Sequence, residues 1–254
     1  LNDLITNYAP NLSKRMAEDK QIKAAITAMD GSIYGVPYYQ ETATQNAHLA
    51  FVSQTWLDNC GIKELPSNVD QFYDMLMKFK TMDANGNGDA NDEIPWSSYQ
   101  YTPFDWFVLP AFTGTVTGMA TDVKDGKVVY TPAMPEYKEY LAYLNKLYSA
   151  KLIDPEFLTQ TYQQFVAKVK SGTVGVYNAS PTTLDPKTTT AMQVSLKPLT
   201  SSTNSKAVTK PVDRIYTGRG VITDKCIYPE AAMRWLDLWY ATPEESVEGL
   251  CGNT

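Results

Sequence analysis

Apolar positions at the start of the chain follow a helical period and then give way to short strand-like runs. Residues 1–29 predict helical segments that end at the turn Asp30–Ser32. Ile33–Tyr39 predicts a strand that ends or reaches a sheet edge at Pro37, since proline has no N–H for the ladder. A second, apolar strand is expected over Ala47–Val52.

Two longer helices are predicted farther along. One begins at Pro66–Asn68 and places its apolar residues on one face as far as Phe79, with Ser67 and Asp70 as an approximate capping box. The region Pro135–Leu152 repeats apolar residues at i, i+3, i+4 and i+7, and it predicts the clearest helix of the chain.

Strands and helices continue to alternate towards the end of the chain, which indicates an α/β fold. The further predicted elements are a helix from Thr102, strands at Val128–Tyr130, Val174–Tyr177 and Ile215–Ile222, a helix that carries Phe157, Tyr162, Phe165 and Val166 and ends near Ser171–Gly172, and a helix from Pro229. Three tryptophans fall at helical core spacing and are assigned to packing: Trp56, Trp235 and Trp239.

Composition narrows the function classes. In 254 residues, 22 Lys and Arg stand against 28 Asp and Glu, for a net charge of −6, whereas nucleic-acid binders usually carry a basic patch. No apolar run approaches the roughly 18–20 residues that a membrane span needs. The chain starts at Leu1 with neither an initiator Met nor a signal peptide, so a longer parent protein is expected.

Signatures of catalysis are scarce. His48 is the single histidine, and the sequence has no G-x-S-x-G, Walker or G-x-G-x-x-G motif. A solvated or core-edge position is expected for His48, and no catalytic residue is assigned. Cys60, Cys226 and Cys251 allow either one disulfide with a free thiol or three buried thiols.

The sharpest motif is the oxygen-rich loop Asp83–Glu93. Side-chain oxygens fall at its first, third, fifth, seventh and ninth positions, and Gly88 is sixth, where calcium loops turn sharply. Ile94 is twelfth, where an EF-hand has Glu, so the loop is EF-hand-like and not a full EF-hand. We expect a structural Ca²⁺; the alternative is a solvated turn without an ion. The expected ligands are Asp83, Asn85, Asn87, Asp89, Asp92 and Glu93.

Four segments, in this order, resemble the bacterial extracellular solute-binding proteins of family 1, the sugar-binding lipoprotein type related to maltose-binding and alginate-binding proteins. They are Gly31–Tyr38, similar to the strand entering the interlobe hinge, Phe51–Ile62 with its W-L-D-x-x-G turn, the calcium loop Asp83–Pro95, and Tyr228–Asp237, similar to the helix after the returning strand. The loop is one residue longer than the family form, which leaves the roles of Asn91, Asp92 and Glu93 open.

The resemblance implies a periplasmic-binding-protein type 2 fold, in which two α/β lobes close on a hinge around a ligand. Residues 1–45 would then form part of the first lobe and the hinge entry. Residues 46–210 would form the second lobe with the calcium loop, and residues 211–254 the return to the first lobe. Glu41–Asn46 and Val208–Tyr216 are the expected hinge crossings.

The resemblance also implies a function: the substrate-binding component of an ABC importer, which holds a carbohydrate, an oligosaccharide by expectation, in the interlobe cleft without turning it over. The expected partners are this ligand and the transporter permease, with no nucleic acid. The membrane would be reached only through a lipid anchor absent from this chain, and a monomer is expected. The location would be extracellular, as a cell-surface lipoprotein of the Gram-positive type, or periplasmic.

The candidate ligand-binding residues are aromatic and polar side chains that the resemblance places near the cleft. Aromatic rings suit the apolar C–H face of a sugar, and polar groups suit its hydroxyls. The candidates are Tyr38, Tyr39, Gln40, Trp96, Tyr99, Trp106, Tyr177, Asn178 and Arg219.

Two other function classes remain open. A glycosidase would need two carboxylates flanking a cleft, and Asp105 and Glu41 are the residues that could be written into that role, although their spacing does not support it. A calcium-stabilised carbohydrate-binding module is usually all-β, which the helix predicted over Pro135–Leu152 argues against.

Overall fold

The computed structural model describes residues 1–39, 50–99, 102–116, 121–178, 193–209 and 215–242. The chain divides into two compact units: Leu1–Gln45 with Val212–Thr254 form unit 1, and Asn46–Pro211 form unit 2. The assignment of residues 1–45, 46–210 and 211–254 to two lobes stays a prediction. Among the expected features, Gln40, Glu41, His48, Cys251 and the hinge crossing at 41–46 lie outside the described residues.

The described residues form ten α-helices and eight strands. The helices are α1 (Asn2–Tyr8), α2 (Pro10–Glu18), α3 (Lys20–Ile26), α4 (Gln54–Asn59), α5 (Val69–Thr81), α6 (Thr102–Phe107), α7 (Leu109–Thr113), α8 (Pro135–Ser149), α9 (Tyr162–Lys170) and α10 (Pro229–Asp237). The strands are β1 (Val36–Tyr39), β2 (Phe51–Ser53), β3 (Ile94–Ser97), β4 (Thr121–Lys124), β5 (Lys127–Tyr130), β6 (Val174–Tyr177), β7 (Gln193–Ser195) and β8 (Ile215–Gly220). None of these helices is long and apolar enough to cross a bilayer. The predicted α/β class is confirmed.

Unit 1 combines α1, α2, α3 and α10 with the antiparallel strand pair β1–β8. Val36 pairs with Gly220 and Tyr38 with Tyr216, and the register shifts between Val36 and Tyr38. Pro37 lies at this shift, as expected for a residue that cannot donate to a ladder. The buried residues that form the core of the unit are Ile5, Ala9, Leu12, Ile26, Ile33, Val36 and Met233.

A carboxylate from the end of the described chain caps a helix near its beginning. Ala9, at the N-cap of α2, has no side chain that can accept the free N–H groups of the first turn. Asp237 supplies both acceptors instead: its Oδ2 accepts from Asn11 N at 3.1 Å and its Oδ1 from Leu12 N at 2.8 Å. Its side chain is only 4% exposed, so these bonds satisfy a buried charge as well as the helix end.

Unit 2 is built on a four-stranded sheet in the order β3-β6-β2-β7, and β4 and β5 pair separately as a hairpin. β3 and β6 are parallel, whereas β2 is antiparallel to both β6 and β7. Gly175 on β6 lies under the Trp56 ring, and a Cβ there would be 2.5 Å from Trp56 Cε3. The largest buried side chains of the core around this sheet are Trp56, Trp96, Tyr140, Phe72, Phe79 and Phe104.

Two predicted helix boundaries differ from the observed ones. At α5 the predicted capping box of Ser67 and Asp70 does not form: Asn68 Oδ1 accepts from Gln71 N at 2.9 Å, and Gln71 Oε1 accepts from Ser67 N, the residue before the N-cap, at 2.9 Å. Asn68 is a strong N-cap residue in extended conformation, so it replaces Ser67 in that role. Helix α8 ends at Ser149, three residues before the predicted Leu152, because Lys151 adopts a left-handed φ of 58°.

The packing assignment of the tryptophans is right for Trp56, which is 1% exposed, and wrong for Trp235, which is 61% exposed. Helix α10 buries Met233 and Asp237. Residues two positions apart on a helix point about 200° away from each other, so Trp235 lies on the opposite side. The assignment is also wrong for Trp239, which is exposed at 37% and whose ring centroid is 6.2 Å from that of Trp235.

Replacing Asp237 by alanine should destabilise unit 1. The change leaves two N–H groups of α2 without their acceptor, and the loss of a buried cap costs about 2 kcal/mol. Urea denaturation should show a lower transition midpoint with an unchanged slope. Asp224→Ala is the matched control, because the Asp224 side chain is 80% exposed and should be neutral. Equal midpoints for the two variants would contradict the capping role.

Candidate functional site

The oxygen-rich loop of unit 2 is organised around one carboxylate. Asp83 Oδ1 accepts from Gly86 N at 2.9 Å and from Asn87 N at 3.1 Å, and its Oδ2 accepts from Gly88 N at 2.8 Å. Gly86 and Gly88 have left-handed φ values of 78° and 92°, which glycine adopts without strain. The predicted sharp turn at Gly88 is therefore present, and main-chain bonds hold it.

The loop closes on its acidic end. The amides of Asn85 and Asn87 donate to the two oxygens of Asp92, at 2.9 and 2.7 Å. The Asp89 carboxylate does not take part in this contact: its Oδ1 accepts from Asn91 N, two residues later, at 3.0 Å. Asp92, one of the three residues left open, is thus brought together with the predicted asparagines.

The strongest support for a cation site in this loop comes from the carboxylate of Glu93. It is 5% exposed, and its Oε1 accepts from Ala84 N at 3.0 Å. Its Oε2 is buried and has no hydrogen-bond partner in the described structure. A buried carboxylate oxygen is normally paired, so this oxygen is available to a ligand.

The donor set is suited to a hard cation only in part. Within the described ranges, no three His, Cys, Asp or Glu side chains form a group that could hold a metal ion. Ca²⁺ is bound by amide and main-chain oxygens as well as carboxylates, so the asparagines would have to contribute. Main-chain donors fix the present orientation of these amides: Asn85 Oδ1 accepts from Asn87 N at 2.9 Å and Asn87 Oδ1 from Asp89 N at 2.8 Å, so the nitrogens face Asp92.

A second cluster lies where two parallel strands end. Ser97 on β3 is in register with Tyr177 on β6, so the residues that follow each strand reach the same edge of the sheet. Ligands of open α/β sheets bind at the carboxyl ends of the strands. We call the four polar residues gathered here the polar edge: Ser98, Gln160, Tyr177 and Asn178.

Every member of the polar edge carries a buried polar atom without a hydrogen-bond partner in the described structure. These atoms are Ser98 Oγ, Gln160 Oε1, Tyr177 Oη and Asn178 Nδ2. Burial raises the pKa of the Tyr177 hydroxyl, which keeps it protonated. An unpaired buried polar atom costs about 1–3 kcal/mol, so each of these four atoms is a candidate contact for another molecule or for water.

A charged network lies behind the polar edge. Asp154, 1% exposed, accepts from Ser97 Oγ at 2.7 Å and from Lys168 Nζ at 2.9 Å, and Lys168 also donates to Glu156 at 2.6 Å. Gln160 Nε2 donates to Ser97 Oγ at 3.2 Å and to the Ser98 carbonyl at 2.8 Å. These two hydrogen bonds fix the orientation of the Gln160 amide.

Unit 1 carries an aromatic surface of its own on β1 and β8. Tyr38 is 51% exposed, and its ring centroid is 5.8 Å from that of Tyr216, its partner across the ladder. The Arg219 guanidinium carbon lies 5.1 Å from the Tyr216 centroid, within cation–π distance. We call these three residues the tyrosine ladder.

The structure separates the predicted ligand residues into several groups. Tyr177 and Asn178 belong to the polar edge, and Tyr38 and Arg219 to the tyrosine ladder. Tyr99 is partly buried beside Tyr162, with centroids 5.6 Å apart. Tyr39 and Trp106 are partly exposed. Gln40 lies outside the described residues.

Trp96 is a correction. It is 0% exposed, and its ring packs edge-on against Phe72 and Phe104, at 5.1 and 4.5 Å between centroids. No face of the ring is left for a ligand, because Phe72, Phe104 and Phe107 surround it. Trp96 contributes indirectly: its Nε1 donates to Asn178 Oδ1 at 2.9 Å and so orients that amide.

Three residues of these surfaces were not found from the sequence: Ser98, Gln160 and Tyr216. Ser98 follows the strand that carries Trp96, which was a usable signal. Gln160 bonds to the Ser98 carbonyl from 62 positions away, and Tyr216 pairs with Tyr38, so neither has a local pattern.

Comparisons with known proteins agree with these features. No protein-family profile matches the chain. The fructooligosaccharide ABC transporter substrate-binding protein FusA of Streptococcus pneumoniae is 31% identical over 270 residues, covering 99% of this chain and 48% of FusA. Lipoprotein LipO of Bacillus subtilis is 27% identical over 179 residues, covering 65% of this chain and 32% of LipO. The chain thus spans about half the length of FusA.

Solved structures give the same picture. FusA in complex with kestose has a TM-score of 0.79 at 31% identity, covering 97% of this chain and 51% of that one. A FusA EF-hand mutant in complex with fructo-nystose has a TM-score of 0.80 at 29% identity, covering 99% and 52%. The alginate-binding protein AlgQ2 without calcium ion, at 22% identity, shares the fold, with a TM-score of 0.81 over 100% of this chain and 53% of AlgQ2. By sequence and fold the chain is therefore similar to ABC-transporter substrate-binding proteins, which confirms the resemblance that its motifs predict.

Proposed function

We propose that the whole protein is the substrate-binding component of an ABC importer and that it binds a carbohydrate without turning it over. The observation that carries this proposal is the polar edge, where four buried, uncharged polar atoms lack partners in the described structure. Sugars present many neutral hydroxyls, each of which can donate and accept a hydrogen bond. The relatives named above, of which FusA has been studied with kestose and fructo-nystose, support the same class of ligand.

Aromatic faces complete the chemistry that a sugar needs. In unit 2, Trp106 on α6 and Tyr99 after β3 are partly exposed. In unit 1, Tyr38 and Tyr216 are the two aromatic residues of the tyrosine ladder. Their rings would stack on the apolar C–H faces of pyranose or furanose rings, while polar groups bind the hydroxyls. Closure of two lobes on a hinge remains an expectation of the family resemblance.

A binding role fits better than hydrolysis. Asp105, one of the two carboxylates considered for a glycosidase, is 4% exposed and accepts a hydrogen bond from the Tyr140 hydroxyl. It is therefore a structural group between α6 and α8. Glu41, the other, lies outside the described residues.

The cellular setting follows from the importer role. The permease of the transporter would be the protein partner, the location would be extracellular or periplasmic, and a lipid anchor of the whole protein would hold it at the membrane. The lipoprotein relative LipO supports this setting. We expect the protein to act as a monomer.

We further propose that the loop Asp83–Glu93 binds a structural Ca²⁺. The unpaired Glu93 Oε2 and the convergence of Asn85 and Asn87 on Asp92 support it, as does the EF-hand in FusA. An ion here would fix the chain that leads from α5 into β3. The role of this Ca²⁺ would be structural and not catalytic.

Trp106→Ala should weaken oligosaccharide binding by the whole protein. Loss of a stacking tryptophan costs on the order of 2 kcal/mol of binding free energy, about a thirtyfold rise in Kd. Titration calorimetry with neutral oligosaccharides, kestose included, measures this change. Trp235→Ala in unit 1 removes another exposed indole and should leave the Kd unchanged. A Trp106→Ala protein that unfolds, while its folded fraction keeps full affinity, would place Trp106 in the core instead.

Removal of calcium should lower the melting temperature. A ligand that binds only the folded state adds about 2.7 kcal/mol of stability at a hundredfold excess over its Kd. The protein should therefore melt at a lower temperature in chelator and recover when Ca²⁺ is returned. Asp83→Ala removes an expected ligand, so its melting temperature should be the same with chelator and with Ca²⁺. An unchanged melting temperature of the parent protein in chelator would refute the calcium site.

A further inference from the structure

We propose that Asn85 and Asn87 are sites of spontaneous deamidation and that the hydrogen bonds of the loop Asp83–Glu93 protect them from it. The modification converts a side-chain amide into a carboxylate and so changes the loop that leads into β3. This inference goes beyond the proposed carbohydrate-binding function and does not depend on it. It concerns the loop in the absence of an ion and is therefore tested in chelator.

The loop has the sequence in which deamidation is chemically easiest. The chain contains two Asn-Gly pairs, Asn85–Gly86 and Asn87–Gly88, and both lie in this loop. Glycine has no Cβ, so its main-chain nitrogen can approach the side chain of the preceding asparagine without steric hindrance. Gly86, Asn87 and Gly88 are exposed, and Asn85 is partly exposed. Water therefore has access to both pairs.

The reaction consumes water and releases ammonia. The glycine nitrogen attacks the side-chain carbon Cγ of the preceding asparagine, and the new C–N bond closes a cyclic succinimide. The bond from Cγ to Nδ2 breaks, and the amide leaves as ammonia with the proton that the glycine nitrogen loses. Water then opens the ring at either carbonyl, which gives aspartate or isoaspartate. No oxidant, reductant or enzyme is needed.

The carboxylate of Asp83 binds both attacking groups. Gly86 N donates to its Oδ1 at 2.9 Å, and Gly88 N donates to its Oδ2 at 2.8 Å. Either nitrogen must lose its proton to form the new bond, and the anion that results would face a negatively charged oxygen at this distance. Asp83 therefore opposes the first step of the reaction at both glycines.

The amides that would be attacked are held as well. Asp92 accepts from Asn85 Nδ2 at 2.9 Å and from Asn87 Nδ2 at 2.7 Å. Asn85 Oδ1 accepts from Asn87 N at 2.9 Å, and Asn87 Oδ1 accepts from Asp89 N at 2.8 Å. Both polar atoms of each amide are thus hydrogen-bonded. Neither Cγ can turn towards the following nitrogen until these bonds break.

The two pairs differ in how closely their surroundings confine them. Asn59 lies against Gly86, where an added Cβ would be 2.9 Å from Asn59 Nδ2. At Gly88 an added Cβ would meet no such atom within 4 Å in the described structure. The main chain at Gly88 therefore has more room to rearrange, and we expect Asn87 to react before Asn85.

Deamidation of Asn87 turns an attractive contact into a repulsive one. Its Nδ2 now donates to Asp92 at 2.7 Å, and in the product a carboxylate oxygen takes the place of this nitrogen. Two carboxylates at this distance repel each other. The product therefore loses one of the two bonds that close the loop on Asp92, and the modified loop is less stable than the parent loop.

Peptide mass spectrometry of the protein kept in chelator measures the reaction, because each event adds the mass difference between an amide and a carboxyl group. Both pairs should react at least roughly tenfold more slowly in the folded protein than in urea, since one charged hydrogen bond contributes about this factor. A synthetic peptide of the loop, in both buffers, corrects for the effect of urea on the chemistry. Equal corrected rates would overturn the protective role of the loop, and product appearing first at Asn85 would contradict the expected order.

Asp83→Ala tests which group protects the two pairs. It removes the acceptor of both glycine N–H groups and should raise both rates in the folded protein by about tenfold. Asp89→Ala is the matched control: its carboxylate accepts from Asn91 N, so its removal should leave the rates unchanged. Equal rates in Asp83→Ala and the parent would overturn the role of Asp83. The comparison of folded and unfolded parent protein decides the proposal even where this variant does not fold.

Asn87→Asp reproduces the product and tests its effect on the loop. In chelator it should melt about 2–4 °C below the parent, as expected for the loss of one such bond in a protein of this size. Asn145→Asp adds the same charge at an exposed position of α8 and should melt close to the parent. A melting temperature of Asn87→Asp equal to that of the parent would overturn the predicted loosening of the loop.

Discussion

The parallel pairing of β3 with β6 is the constraint on which unit 2 depends. It places Trp96 opposite Val176 and Ser97 opposite Tyr177, so that both strands end at one level. The Trp96 ring then fills the core, and its single polar atom reaches Asn178 at the edge. Core packing and the polar edge are thus coupled through one side chain, because the position of the indole in the core also sets the direction of the Asn178 amide. A parallel pair needs a long crossover, and the segment between β3 and β6 supplies Asp154, Gln160 and Lys168 on the way.

The features that could be predicted from the sequence are those encoded locally. The period of apolar residues gave α5 and α8, the alternation of strands and helices gave the α/β class, and the spacing of oxygens gave the loop at Asp83–Glu93. In each case the sequence pattern that predicts the element lies within one short, continuous segment of the chain. The errors are local too: α5 had two adjacent candidates for its cap, and α10 was read by its tryptophan spacing and not by the residues it buries.

The features that could not be predicted join distant positions. Gln160 reaches the Ser98 carbonyl, Tyr216 pairs with Tyr38, and Asp237 caps α2, each across dozens of residues or more. Such contacts depend on strand order and register, which a single sequence does not determine. Trp96 illustrates the limit: its position after the calcium-type loop suggested a ligand contact, yet Phe72 and Phe104 pack against its ring and bury it, although β3 is an edge strand. Aromatic residue type alone does not separate a core ring from a binding ring.

The capping of α2 by Asp237 also has a consequence for the order of events during synthesis. Unit 1 is made of two chain segments that flank unit 2, so the acceptor for the first turn of α2 is translated 225 residues after Leu12. By then every residue of unit 2, which is one continuous segment, has been synthesised. The first-turn N–H groups of α2 therefore lack this acceptor until Asp237 emerges. Domains generally fold as units during translation, and here the continuous unit has the opportunity to fold first.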